Sequence, residues 1–118
     1  MKNVTIAMST FNGHEFLREQ LDSIVLQTII NRSDIVFSIV VRDDGSSDDT
    51  IDILKEYAIK YTRINWKIIE GENIGWKKSF ISLLQLISSD YIFLCDQDDI
   101  WAKDKCQIMI EKMEKIRK

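Results

Sequence analysis

Four short apolar segments alternate along the chain with four longer segments of helical periodicity, and this alternation constrains the fold more than any other feature. Runs rich in β-branched and aromatic residues predict four strands, at Val4–Met8, Val36–Val41, Trp66–Ile69 and Tyr91–Cys95. Apolar residues at i, i+3 and i+4 spacing predict four helices, over about residues 14–27, 48–61, 76–87 and 103–118. Near-continuous apolar strands joined by helices are typical of a parallel sheet that is covered on both faces. We therefore predict a Rossmann-like α/β fold, with a mainly parallel four-stranded sheet and helices on both faces.

The composition is that of an ordinary globular chain, and it excludes several classes of protein. With 118 residues the chain is long enough for one hydrophobic core, so we predict a single domain over residues 1–118. The formal net charge of −3 disfavours a nucleic-acid-binding surface. Because no run approaches about 18 uninterrupted apolar residues, the sequence predicts no transmembrane segment. The two cysteines, Cys95 and Cys106, are predicted to be reduced thiols that are buried or half-buried.

Polar clusters follow the carboxyl ends of all four predicted strands. They are Ser9–Thr10, Asp43–Asp44, Glu70–Gly75 and Asp96–Asp99. Parallel strands present their carboxyl ends at one edge of the sheet, and ligands of open α/β sheets bind at that edge. The sequence therefore predicts a single binding crevice lined by these clusters.

The last cluster, Asp96-Gln97-Asp98-Asp99, crowds three carboxylates into four residues. At about 4 Å each like-charge pair costs roughly 1 kcal/mol even in bulk water, and a divalent cation relieves this repulsion. Carboxylate oxygens suit Mg²⁺ or Mn²⁺, and Mg²⁺ sites usually combine one or two carboxylates with substrate phosphates. We therefore predict a metal and phosphate site, with Asp98 as the first candidate ligand and Asp96 as a contact to metal or ribose. Asp99 is alternatively a cap for the loop or for the following helix.

Other residues at the predicted crevice have a structural interpretation beside the functional one. Asp43 and Asp44 either cap the following turn or accept hydrogen bonds from a base N–H or a ribose hydroxyl. Lys78, near the start of the third helix, is either a solvated surface charge or a partner for phosphate, because a lysine gains nothing from the helix dipole there. Trp76 and Trp101 are expected to pack rather than to stack on a ligand.

Five motifs, in order along nearly the whole chain, resemble those of the family 2 glycosyltransferases, a large inverting class with the GT-A nucleotide-sugar-binding fold. The motifs are MSTFN at 8–12, LQT at 26–28, DDGSSD at 43–48, NIG at 73–75 and DQDDIW at 96–101. The wording around the last motif, FLCDQDDIW, also resembles bacterial rhamnosyltransferase-like members that act on cell-surface polysaccharide.

The resemblance implies that the chain binds a nucleoside-diphosphate sugar whose nucleotide is UDP or dTDP. Ser9 and Asp44 would contact the uracil or thymine of this donor. Thr10 would lie beside them, and Asp43 would be their neighbour at the same strand end.

The resemblance also implies that Asp96 and Asp98 form the Asp-X-Asp (DXD) motif of the family. Asp98 would bind Mg²⁺ or Mn²⁺ bridging the diphosphate, and Asp96 would lie against the ribose. Many members carry a basic residue and then an Asn early in the third helix, where this chain has Phe80 and Ile81. A basic contact to phosphate is therefore assigned to Lys78.

Family members continue well past the Asp-X-Asp motif, and the continuation supplies the carboxylate expected to act as general base on the acceptor hydroxyl. No residue here matches that base, and the sequence stops inside a helical pattern at Lys115–Lys118. We therefore expect a truncated, amino-terminal donor-binding part of a longer enzyme. The general base is expected beyond Lys118, and the fragment alone is expected not to transfer sugar.

The same resemblance implies partners and a location. A saccharide or lipid-linked acceptor would receive the sugar in polysaccharide biosynthesis, and the full-length enzyme would be cytoplasmic, peripherally associated with the inner face of the membrane. If a missing part normally covers the sheet edge, exposed apolar surface would drive self-association of the fragment. Two alternatives stay open: a receiver-like signalling module with an acidic Mg²⁺ pocket, and a non-catalytic binding or assembly module.

Overall fold

The computed structural model describes residues 1–96 and 99–117, with side chains described as far as Ile116. In this part of the chain strands and helices alternate as the sequence predicts. The elements are β1 (Lys2–Thr10), α1 (Leu17–Val25), a 3-10 helix (Thr28–Asn31), β2 (Ile35–Asp44), α2 (Thr50–Lys60), β3 (Asn65–Gly71), α3 (Trp76–Leu86), β4 (Tyr91–Cys95) and α4 (Lys105–Arg117).

The strands form one sheet in the order β3-β2-β1-β4, and each pair of neighbours is parallel. Ile6 lies in register with Ile39 on one side and with Phe93 on the other. Because β1 is flanked on both sides, its residues from Val4 to Thr10 are all buried. The predicted parallel four-stranded sheet is confirmed.

The main hydrophobic core lies on one face of the sheet, since alternate residues of a strand point to the same side. It joins strand residues such as Ile6 and Ile39 to Leu21 of α1, Leu54 of α2 and Ile110 of α4, all of which have no exposed surface. Both cysteines are free and buried, as predicted. Among the helices described, none is both long and apolar enough to cross a membrane.

Helix α3 covers the opposite face, where Leu83 is fully buried and the Ser79 side chain contacts Ser9 of β1. Towards the edge strand β4 this face is open, and the side chains of Ile92 and Leu94 are 39% and 51% exposed. Helices therefore lie on both faces, as predicted, but they cover the second face only in part.

Helix α1 begins at Leu17, three residues later than the apolar periodicity predicts. The backbone amides before it bond instead to the loop after β2 and to the first residue of α2. The Asn12 amide donates to Ser46 Oγ at 2.8 Å, and the Gly13 amide donates to Thr50 Oγ1 at 2.9 Å. Asn12 has a positive φ of 47°, a conformation that Asn tolerates better than most residues. The two hydrogen bonds therefore delay the helix, and they tie together the two turns at the carboxyl edge of the sheet.

Candidate functional site

The carboxyl ends of β1, β2 and β4 meet the loop before α3 around a cavity of about 570 Å³. Its described lining consists of Ser9, Thr10, Phe11, Asp44, Asn73, Gly75, Trp76, Phe80 and Asp96. The volume falls within the range of roughly 300–1,000 Å³ that is typical of small-molecule sites. Residues from all four polar clusters of the sequence lie around this one cavity.

Asp44 is the last residue of β2, and it is 3% exposed. Its Oδ1 accepts hydrogen bonds from Arg42 Nη1 and from the Ile74 amide, both at 2.8 Å, and its Oδ2 accepts from the Gly75 amide at 3.1 Å. A carboxylate has about four acceptor positions, so the described residues leave one position on Oδ2, and Asp44 lines the cavity. Burial by itself raises the pKa of Asp44, but the three donors outweigh this effect and hold the pKa below its ordinary value of 3.8. Asp44 is therefore a charged acceptor at neutral pH.

Asp43 is fully buried and closes the turn after β2. Its Oδ1 accepts from Thr10 Oγ1 at 2.8 Å and from Ser46 Oγ at 2.6 Å, and its Oδ2 accepts from the Ser46 amide at 2.8 Å. Asp43 is not among the described residues that line the cavity. These contacts favour the capping interpretation, and a direct contact between Asp43 and a donor nucleotide stays a prediction.

Ser9 and Thr10 line the cavity from the end of β1, and both hydroxyls donate to groups of the protein. Ser9 Oγ lies 2.6 Å from Ser79 Oγ, and Thr10 Oγ1 donates to Asp43. A hydroxyl keeps acceptor lone pairs after it has donated its proton. Each side chain is therefore held in place and still able to accept a hydrogen bond from a ligand.

Asp96 follows β4 directly, is exposed, and lines the cavity. The Gln20 side chain of α1 donates to the Asp96 carbonyl oxygen. Asp99 folds back on the same residue: its amide donates to the Asp96 carbonyl at 3.2 Å, and its Oδ2 accepts from the Asp96 amide at 3.2 Å. Asp99 thus caps the loop, which is the alternative that the sequence left open for it. Asp98, the first candidate for the metal, lies outside the described residues.

The described acids suit a metal that takes few ligands from the protein. Within residues 1–96 and 99–117 no three His, Cys, Asp or Glu side chains are grouped to hold an ion. The carboxylate that the described chain brings to the cavity besides Asp44 is that of Asp96. Mg²⁺ keeps several waters and is commonly held by one or two carboxylates together with substrate phosphates. The donor set therefore fits a hydrated ion shared with a diphosphate rather than an all-protein cage.

The two tryptophans named in the sequence have different environments. Trp101 is 6% exposed and packs edge-to-face on Phe93 with ring centroids 6.2 Å apart, so its packing role is confirmed. Trp76 is 65% exposed and lines the cavity, so the expectation that it packs is wrong. It is the first residue of α3. Lys78 is exposed and is not among the described residues of the cavity lining, so its contact to phosphate stays a prediction.

Three buried polar residues that hold the site together are not predicted by the sequence patterns. Arg42 is 7% exposed and Ser79 is fully buried, and each contacts a predicted site residue. Gln27, which lies within one of the five motifs, bonds to the Ala102 carbonyl and the Cys106 amide and so joins α1 to α4. Arg42 can be recognised in the sequence as a charged residue that continues an apolar strand. Such a residue is a candidate for a structural role, because a buried charge requires a partner.

The family model described as Glycosyl transferase family 2 matches residues 5–118. The chain belongs to glycosyl transferase family 2. The family resemblance of the sequence is confirmed, and the receiver-like signalling module is wrong.

Individual similar proteins agree with this family membership, one in sequence and two in fold. The dTDP-rhamnosyl transferase RfbG of Shigella flexneri is 38% identical, and the match covers 88% of this chain and 36% of RfbG. The crystal structure of S. aureus TarS 1-349 in complex with UDP has a TM-score of 0.82 at 23% identity, covering 98% of this chain and 32% of that TarS chain. The mannosyltransferase PcManGT from Pyrobaculum calidifontis, in complex with GDP-Man and Mn²⁺, has a TM-score of 0.81 at 24% identity, covering 92% and 31%. The GT-A fold is confirmed, and this chain spans about a third of the length of RfbG, of the TarS 1-349 chain and of PcManGT.

Proposed function

We propose that this chain is the donor-binding part of an inverting glycosyltransferase and that it binds a UDP- or dTDP-sugar together with Mg²⁺ or Mn²⁺. The observation that carries the proposal is the buried, charged carboxylate of Asp44, which lines the cavity with one acceptor position that residues 1–96 and 99–117 leave unused. Family membership and the fold of the similar structures support it.

The single acceptor position of Asp44 predicts which nucleobase the site prefers. Uracil and thymine present one N–H, at N3, on their pairing edge, whereas cytosine has a bare acceptor nitrogen at the same position. A carboxylate with one free acceptor position therefore favours the first two bases over cytosine, since cytosine would leave two acceptors facing each other. Phe11 and Trp76, which are 41% and 65% exposed at the cavity, offer apolar ring faces to a planar base.

In the proposed complex Asp96 and Asp98 hold the divalent ion, with Asp96 also close enough to the cavity to meet the ribose. When bound, the ion neutralises charge on the departing nucleoside diphosphate. Asp44, Ser9 and Thr10 fix the base, so that the diphosphate reaches the Asp96 side of the cavity. Lys78 remains the proposed basic contact to phosphate.

In the whole protein we propose that the sugar passes to a saccharide or lipid-linked acceptor in polysaccharide biosynthesis at the cytoplasmic face of the membrane. The relative RfbG, a dTDP-rhamnosyl transferase, makes deoxythymidine diphosphate the first nucleotide to test. The general base stays assigned to residues beyond Lys118, so this chain alone is expected to bind donor without transferring sugar. Self-association of the chain also stays a proposal, supported by the exposed side chains of Ile92 and Leu94 on β4.

Calorimetric titration of UDP, dTDP and CDP, each with Mn²⁺ or with EDTA, tests the proposal. UDP and dTDP are expected to bind with Mn²⁺, and CDP is expected to bind at least about fivefold more weakly, since an unpaired buried acceptor costs about 1–3 kcal/mol. Asp96→Asn is expected to reduce the gain in affinity that Mn²⁺ provides. Asp44→Asn is expected to remove most of the preference for UDP over CDP.

Glu15→Gln is the matched control, because it also converts one acid to its amide but at an exposed position outside the described cavity lining. It should bind all three nucleotides like the wild type. If the wild-type chain is folded by circular dichroism and binds neither UDP nor dTDP with Mn²⁺, the proposed function is wrong. Equal affinity for UDP and CDP would refute the assignment of the base.

A further inference from the structure

Arg42 is a buried cation placed directly behind the proposed base-binding carboxylate. It is 7% exposed, and the proposed function gives it no contact with the donor. Its Nη1 donates to Asp44 Oδ1 at 2.8 Å and to Ser79 Oγ at 3.1 Å, while its Nη2 donates to the Glu72 carbonyl oxygen at 2.9 Å. Burying a charged group costs several kcal/mol unless its partners compensate for the lost water. Of these three partners Asp44 lines the cavity, Ser79 contacts the lining residue Ser9, and Glu72 directly precedes the lining residue Asn73.

Gly71 leaves the space that this guanidinium occupies. A Cβ on Gly71, the last residue of β3, would lie 2.2 Å from Arg42 Nη2 and 2.5 Å from Cζ. The φ of Gly71 lies outside the left-handed region, so its own backbone conformation does not require glycine. We conclude that the requirement at residue 71 is the space that the Arg42 side chain occupies.

The hydrogen bonds of Arg42 connect the end of β2, the loop before α3 and the helix α3 itself. Through Asp44 it is connected to the amides of Ile74 and Gly75, which directly precede α3. Through Ser79 it is connected to Ser9 at the end of β1, across a 2.6 Å contact. The orientation of Asp44 and the path of the loop over residues 72–75 therefore depend on the same guanidinium.

We propose that Arg42 is a positioning residue for nucleobase selection, which holds Asp44 and the 72–75 loop so that the unused acceptor position faces the cavity, and that Gly71 is the position that admits it. This inference rests on the proposed function, because it assigns to Asp44 the contact with the base N–H. Arg42 acts through Asp44 and does not touch the donor.

Three variants separate this role from a general contribution to folding. Arg42→Ala removes the guanidinium, and Gly71→Ala displaces it while keeping every charge. The double variant tests whether the two substitutions act through the same guanidinium. The control is Gly13→Ala, at the same edge of the sheet, where an added Cβ would meet Leu17 Cβ at an ordinary 3.8 Å.

The first measurement needs no ligand: amide hydrogen exchange at Ile74 and Gly75, followed by NMR. Both amides donate to Asp44, so we expect their exchange to be slow in the wild type and in Gly13→Ala. In Arg42→Ala and in Gly71→Ala it should be at least about tenfold faster, the change that corresponds to about 1.4 kcal/mol. Exchange at Ile6 and Ile39, in the centre of the sheet, should change much less. Unchanged exchange at Ile74 and Gly75 in both variants would overturn the inference whatever the chain binds.

The second measurement is the ratio of UDP to CDP affinity in Mn²⁺. We expect the wild-type preference of at least about fivefold to fall to about twofold or less in Arg42→Ala and in Gly71→Ala, with the double variant no worse than Arg42→Ala alone. If Arg42 had a purely structural role, the variants would bind both nucleotides more weakly by the same factor, and the ratio of UDP to CDP affinity would not change. That result would also overturn the inference. If the wild-type chain binds UDP and CDP equally, the proposed contact between Asp44 and the base is wrong instead. In that case the hydrogen-exchange measurement is the only test of whether Arg42 positions Asp44 and the 72–75 loop.

Discussion

Replacing Asp43 by Asn tests whether the first acid of the DDGSS turn supports the fold rather than the ligand. The carboxylate is fully buried and accepts three hydrogen bonds, from Thr10 Oγ1, Ser46 Oγ and the Ser46 amide. An amide in its place keeps one acceptor oxygen and turns an NH₂ group towards donors. Hydrogen bonds to a charged group contribute about 1.5–3 kcal/mol each and neutral ones about 0.5–1.5 kcal/mol, so each bond loses about 1 kcal/mol. Because the two hydroxyls can rotate, we expect Asp43→Asn to lower the free energy of unfolding by about 2–3 kcal/mol.

Urea unfolding followed by tryptophan fluorescence measures this change. With a denaturant slope of about 1.5 kcal/mol/M, the midpoint should fall by about 1–2 M at an unchanged slope. Glu15→Gln is again the control, because its side chain is exposed, and its midpoint should move by less than about 0.3 M. A native Asp43→Asn protein should keep its preference for UDP over CDP, since Asp43 is outside the described cavity lining. A variant with wild-type stability and no preference would show that Asp43 contacts the base, and the structural interpretation would be wrong.

Two further predictions follow from the pKa shifts of buried groups. The native pKa of Asp44 lies below its ordinary value of 3.8, so its ionised form contributes stability that is complete above about pH 4 and is lost as the pH falls through the native pKa. The difference in unfolding free energy between the wild type and Asp44→Asn, about 2 kcal/mol at pH 6, should therefore shrink between pH 4 and pH 2, and a difference that is independent of pH would contradict the assigned donors. Burial raises the pKa of Cys95 and Cys106 from 9.0 to about 12, which leaves about 1,000-fold less thiolate at pH 8. A disulfide exchange reagent should therefore label the native protein far more slowly than the protein in urea, and rapid labelling of either thiol in the native state would refute its burial.

The elements that depend on local pattern are the ones that sequence predicts well. The bounds of β4 agree with the prediction, Tyr91–Cys95, because apolar residues there are flanked by polar ones on both sides. The bounds of β2 do not, since the strand continues through Arg42 to Asp44, and pairing with β3 carries polar residues into the sheet. Helix α1 begins later than its periodicity suggests, because the amides of Asn12 and Gly13 bond to residues that follow β2. Each departure has the same cause, a contact between residues more than twenty positions apart in the chain.

The sequence alone determines the alternation of strands and helices, the parallel sheet, the family, and the edge at which the acids gather. These follow from periodicity and from the order of short motifs, both of which are local properties of the chain. Only the tertiary structure distinguishes Asp43 from Asp44, since neighbouring residues of a strand point to opposite faces. Each of the two carboxylates accepts three hydrogen bonds, but Asp43 is fully buried and is held by Thr10 and Ser46, whereas Asp44 lines the cavity and is held by Arg42, Ile74 and Gly75. Two identical side chains thus acquire different environments, because Thr10, Ile74 and Gly75 lie far from them in the chain and only the folded sheet and the loop before α3 bring these residues close.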